Sequence, residues 1–188
     1  LTATGDFVPN SKTLEIVLPV LPGYTNSNPV VDITFDDQCC MLVAERGLTE
    51  LYTFAHSSRV MKFCHTAAGG WGANFDYSIG DPCIGAYNSA GGVGFEPGAN
   101  NVWSMGDALK LCSNPITYGL QGQPAAGAPV ASSILVDLDG ITTSTQKNEL
   151  GSLEVNCLNA AHCMDVHTDE ILCHQGGSFT WTFTVTNL

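Results

Sequence analysis

Leu14, Ile16 and Leu18 alternate with Thr13, Glu15 and Val17, and the alternation stops at Pro19 and the Pro22-Gly23 pair. A period of two closed by a turn signal predicts a strand over 14–18. The same reasoning predicts strands over 30–35, 134–138, 153–157 and 179–185, and a short apolar strand over 41–44 closed by a turn at Arg46-Gly47. Residues 49–65 fit two patterns. Leu51, Phe54, Ser58, Met61 and His65 form a helical stripe, and they also divide into strands 51–55 and 60–64 joined at Ser57-Ser58. Thr49 followed by Glu50 is a helix start, which tips the reading toward helix.

The clearest alternation lies near the end of the chain. Phe179, Trp181, Phe183 and Val185 share one face of segment 178–186, and Ser178, Thr180, Thr182, Thr184 and Thr186 share the other. No Lys, Asp, Glu or Pro guards this strand against pairing with another chain. It is therefore expected to lie centrally in its own sheet, to be covered, or to pair with a neighbouring copy as an assembly strand.

Residues 69–106 differ in character, with ten glycines and the aromatics Trp71, Phe75, Tyr77, Tyr87, Phe95 and Trp103. They read as turn-rich loops anchored by aromatic rings. Ser104 with Asp107 three residues on resembles a capping box for a short helix over 105–111. Pro115, Pro124 and Pro129 mark 113–133 as an ordered surface loop. Many short strands separated by turn signals predict a mainly β fold: an antiparallel sandwich or barrel, tied by disulfides, with one or two short helices. An α+β arrangement is the alternative if the 49–65 helix forms.

The chain has 188 residues, enough for one domain with a real core. Its eight cysteines, Cys39, Cys40, Cys64, Cys83, Cys112, Cys157, Cys163 and Cys173, are an even set. With few charges and much Gly, Ser, Thr and Asn they read as disulfides of an oxidising compartment, outside the cell or on its surface. Five precede the 113–133 stretch and three follow it, so complete pairing ties both halves into a single domain over 1–188. A start at Leu1 fits a processed secreted chain. The rival reading is a thiolate–metal site, since Cys64-His65, His162-Cys163 and Cys173-His174 set imidazole beside thiol. The paired knuckles of structural zinc sites are missing.

Six Lys and Arg face eighteen Asp and Glu, a net charge of −12. Such a surface repels phosphate backbones and anionic headgroups, which argues against nucleic acid as a partner. No apolar run approaches the length of a membrane span, so insertion is not expected. The sequence carries no nucleophile elbow, phosphate loop, dinucleotide fingerprint or zinc-protease motif.

Three weaker constellations remain. Asp76, Asp81 and Glu96 lie in the aromatic region, where a glycosidase would place paired carboxylates. Trp71, Tyr77 and Trp103 could form a sugar-binding surface for a polysaccharide. Asp137 and Asp139 could begin a calcium site, as could Asp36-Asp37 or Asp165, His167, Asp169 and Glu170; no other cofactor is implied.

The segment Gly177-Ser178-Phe179-Thr180-Trp181-Thr182 is similar to the end of a type IV pilin headpiece, but the apolar helix that defines those pilins is not in this sequence. One Cys-Cys pair does not meet the two-pair pattern of fungal hydrophobins. The reading that follows is a non-enzymatic secreted structural or surface protein, a subunit of an extracellular assembly or filament with copies of itself as partners. The alternative is a secreted carbohydrate-binding protein or small glycoside hydrolase.

Overall fold

The computed structural model describes residues 9, 14–25, 27–47, 56–80, 86–109, 117–138, 140 and 152–155. Within them the chain is a β-sandwich. Strands β1 (Val30–Phe35), β2 (Met41–Glu45), β4 (Val60–His65) and β5 (Trp71–Tyr77) form a four-stranded antiparallel sheet in the order β1-β2-β4-β5. Strands β3 (Ser57–Ser58), β6 (Tyr87–Glu96), β7 (Asn101–Gly106), β8 (Gly119–Pro124) and β9 (Ile134–Asp137) form a second sheet in the order β3-β6-β7-β8-β9. Only the short β3 runs parallel to its neighbour β6.

Alternation builds the core. Leu42, Ala44, Val60 and Tyr77 from the first sheet meet Val93, Phe95 and Val102 from the second, with Phe75 and Leu135 half-buried at the rim. Met41, Val43, Met61 and Phe63 point the other way, under Ile16 and Leu18 of the N-terminal segment. Thus β2 is buried at all five positions, which is why its sequence is an apolar run and not an alternation.

The chain changes sheets at a single residue, Arg59, between β3 and β4. Its guanidinium is clamped by Glu45 through Nε–Oε2 at 2.9 Å and Nη2–Oε1 at 2.7 Å, and it donates to the Pro19 carbonyl at 2.6 Å. Burial alone would lower the Arg59 pKa, but the Glu45 hydrogen bonds and the charges of Glu45 and Asp76 hold it above its ordinary value. At the other end of the β2–β4 pair, the Cys40–Cys64 disulfide joins β4 to the residue preceding β2. Cys39 is disulfide-bonded as well, so all three described cysteines are oxidised. Cys83, Cys112, Cys157, Cys163 and Cys173 lie outside the described residues.

Several expectations are corrected. Residues 57–58 and 60–65 are strands, so the helical stripe is absent there; residues 48–55 lie outside the described set. The 105–111 helix does not start, because Ser104 sits mid-strand opposite Val93 and Gln121, and the Asp107 carboxylate engages Arg46. Ala108, in the left-handed region at φ 53°, turns the chain away. Among the described residues the sole helical element is the 3-10 turn Val130–Ser132. Arg46-Gly47 is no exposed turn, since Arg46 is buried and its amide bonds the Pro29 carbonyl.

Residues 14–18 pack on the sheet without joining its ladder, and 152–155 likewise have no strand partner among the described residues. The stretch 69–106 is mostly sheet, and the 113–133 stretch contains β8, which is central in its sheet. Strand β8 escapes detection because its inward residues are Gln121 and Gln123. Both are buried and satisfied: Gln121 donates to the Ser78 carbonyl and Ser133 Oγ and accepts from Gly80 N, while Gln123 accepts from Ala128 N.

Candidate functional site

The outer face of the five-stranded sheet carries the half-buried Trp103 and the exposed Ile134 and Val136. Because Phe95 and Val102 point into the core, their neighbours Gly94, Glu96, Asn101 and Trp103 point outward. Cross-strand pairing then sets the rows. One row runs Gly94, Trp103, Gly122, Ile134 across β6, β7, β8 and β9; the row beside it holds Glu96, Asn101 and Pro124. Leu120 and Val136 pair in a third row with Met105.

Trp103 lies on the backbone of β8. A Cβ at Gly122 would come within 2.7–2.9 Å of three atoms of its six-membered ring, so glycine there lets the indole lie flat. The ring is pinned by its Nε1, which donates to Glu96 Oε2 at 2.7 Å. On the other side, Gly94 leaves room for Leu153 and Val155, which lie across β6; a Cβ at Gly94 would meet Val155 Cγ2 at 2.7 Å. Asp32 of β1 fastens that arrangement, its Oδ2 accepting from Val93 N at 2.9 Å and Leu153 N at 3.4 Å.

Further exposed apolar residues lie on the outer strands and on the N-terminal segment, where Leu14 and Val17 are the most exposed of all. Among the described residues β9 pairs with β8 alone, and Ile134 and Val136 are 53% and 38% exposed. On β1, Val30, Val31 and Ile33 are exposed while its one charge, Asp32, is turned onto β6. Neither strand holds a Lys or Pro, the residues that ordinarily blunt a sheet edge.

Charge is distributed the opposite way. Three of the six basic residues are buried in ion pairs: Arg46 with Asp107, Arg59 with Glu45, and Lys62 with Asp36. These pairs are internally neutral, so the net −12 is carried by the remaining residues.

No known family, curated protein or solved structure matches the chain. Function is therefore argued from the site alone.

The sequence-derived candidates separate under this geometry. Tyr77 is fully buried with its hydroxyl on the Ala125 carbonyl at 2.8 Å, and burial together with the negative Asp36 pushes its phenol pKa up; it presents no face to a sugar. Trp71 is on the other sheet, stacked against His65 at 4.0 Å and packed beside Phe35. Trp103 is the candidate aromatic that stands on the open face.

Asp76 points outward from the first sheet and Glu96 outward from the second, on opposite faces of the sandwich. They cannot flank one glycosidic bond; Asp81 lies outside the described residues. Asp76 sits 3.9 Å from Arg59, yet burial raises its pKa further than Arg59 lowers it, and Glu45 adds to the rise.

Asp137 Oδ1 accepts from Gly140 N at 3.1 Å, the hydrogen bond of a strand entering a turn; Asp139 lies outside the described residues. Asp36 is committed to Lys62, Gln38 N and Cys40 N. Among the described residues no three His, Cys, Asp or Glu side chains converge as a metal set. Cys64 is in a disulfide, which removes it as a thiolate ligand beside His65. Candidates Phe179, Trp181, Phe183, Val185, Asp165, His167, Asp169 and Glu170 lie outside the described residues.

Sequence reasoning missed Gly94, Gly122, Asn101 and Ile134 as parts of one surface. A signal existed: Gly94 and Gly122 each sit in a strand whose alternate residues face a core, a pattern that marks close approach by another group.

Proposed function

We propose that the chain is a secreted structural or surface protein that builds an extracellular assembly with copies of itself by adding a strand to the β9 edge. The observation that carries this reading is β9 itself: a short strand at the edge of its sheet among the described residues, with two exposed β-branched residues and no Lys or Pro. Its Leu135 points inward yet is only half-buried, and so is Phe75 of β5, so the core has an uncovered rim. The segment that suits this edge is 178–186 of another copy. Its Phe179, Trp181, Phe183 and Val185 row continues Leu135 over the core rim, and its Thr row continues Ile134 and Val136 outward. Three oxidised cysteines fit an oxidising compartment, and no helix among the described residues is long and apolar enough to cross a membrane.

Electron microscopy and light scattering of the purified full chain test the reading. The expected result is filaments or discrete oligomers, dispersed by Thr182→Lys with Thr184→Lys while the fold stays intact. A wild-type chain that is monomeric at high concentration overturns the assembly. Assembly unchanged in the double variant removes 178–186 as the contact.

A further inference from the structure

We infer that Trp103, Glu96 and Asn101 form a binding site for a pyranose ring of a non-anionic polysaccharide. The indole is held flat and fixed in rotation, with Gly122 beneath it and Glu96 on its Nε1. A ring pinned in this way loses little freedom when a ligand stacks on it. It belongs to neither apolar cluster and is half-buried, so part of the ring remains accessible.

Beside the ring stand two polar groups with capacity to spare. Glu96 uses Oε2 on the indole, and Oε1 and the Asn101 side-chain amide take no hydrogen bond among the described residues. Glu96 and Asn101 are cross-strand partners, so acceptor and amide stand side by side at one end of the ring. A flat apolar surface edged by a carboxylate oxygen and an amide matches a hexopyranose. The axial C–H bonds of the sugar carry partial positive charge toward the negative π face, and its equatorial hydroxyls reach outward to acceptors and donors.

Other flat ligands fit less well. A nucleobase would also stack, but its phosphates meet a surface of net charge −12. The same charge disfavours polyuronates and sulfated glycans. Leu153 and Val155 bound the ring on the β6 side, while toward β8 and β9 the row continues through Gly122 to the exposed Ile134, a direction along which a chain of linked sugars can run. The site is separate from the β9 edge, where strand addition occurs in the plane of the sheet. An assembly would therefore display one such platform per subunit, which raises avidity without any new contact.

The test is sedimentation of the purified full chain with insoluble chitin, insoluble β-glucan and insoluble polygalacturonate. Tryptophan fluorescence with the matching soluble oligosaccharides gives a second readout. The inference expects retention on chitin or β-glucan, reduced at least tenfold in Trp103→Ala and several-fold in Asn101→Ala, with melting temperatures near wild type. Glu96→Gln, which keeps an acceptor for the indole, is expected to weaken retention while leaving the Trp103 emission in place. The inference is overturned by no retention on either neutral polymer, by retention that survives Trp103→Ala, or by preference for polygalacturonate. Should Trp103→Ala fail to fold, Asn101→Ala decides: unchanged retention in that variant rejects the site. None of these outcomes depends on whether the chain assembles.

Discussion

On the outer face of the four-stranded sheet, Met41, Val43, Met61 and Phe63 lie under Ile16 and Leu18, and Arg59 is clamped by Glu45 beneath the same segment. On the outer face of the five-stranded sheet, Trp103 rests half-buried on glycine, and Ile134 and Val136 are exposed at an open edge. Both faces are apolar and both belong to the same sandwich. The first is covered over β2 and β4 by the chain's own segment, with Ile33 of β1 left exposed, and buried charge locks it. The second is crossed over β6 by Leu153 and Val155, stays exposed at β9, and carries its polar groups at the surface. A face that the described chain covers contributes stability, and one that it leaves open is available for recognition. That division predicts large folding effects on the first face and small ones on the second.

The largest effect is expected at the sheet-crossing corner. Arg59→Ala leaves Glu45 charged, buried and uncompensated, a loss of about 3–5 kcal/mol. Against a total stability of about 5–15 kcal/mol this brings the domain close to unfolding. Chemical denaturation of the variant measures it, and a loss under 1 kcal/mol would show that the closed face is not where the fold is secured.

Next comes the disulfide. Replacing Cys40 and Cys64 with Ser is expected to cost about 2–4 kcal/mol. Full reduction should lower the melting temperature at least as far, because Cys39 is bonded too. Circular dichroism melts with and without reductant check both statements.

The smallest effect is at Asp76, on the margin of the closed face. Burial raises its pKa above the ordinary carboxylate value, so the folded state favours the protonated form. The stability contributed by that group is complete at acid pH and is lost as pH rises through its folded pKa. Asp76→Asn mimics the protonated form. It should raise the melting temperature slightly at neutral pH, and the difference should vanish as wild type becomes protonated in acid.

The pattern of the sequence made the β class legible, together with strands 30–35, 41–44 and 134–138, because in each the apolar spacing agrees with burial. It hid β8, whose inward face is Gln121 and Gln123 satisfied by tertiary hydrogen bonds that no local rule anticipates. It misread 105–111 for a related reason: Ser104 and Asp107 have capping spacing, but Arg46, sixty-one residues away in sequence, claims the aspartate. The glycines of 69–106 suggested loops because a strand interior rarely holds so many. Gly72, Gly91, Gly92, Gly94 and Gly106 are strand residues, and Gly92 and Gly94 admit Leu153 close to the sheet. Of the candidate site, Trp103 and Glu96 were visible as residue types. Their association was not, since it depends on the register between β6 and β7.

Amide hydrogen exchange at Leu135 tests the central claim most directly. Leu138 N bonds toward β8, so by strand alternation the Leu135 amide points to the open side of β9. The account predicts that this amide exchanges slowly in assembled wild-type protein and fast in the Thr182→Lys, Thr184→Lys variant, with β7 unchanged in both. Fast exchange at Leu135 within assembled particles would contradict it, because a strand added to β9 cannot leave that amide unbonded.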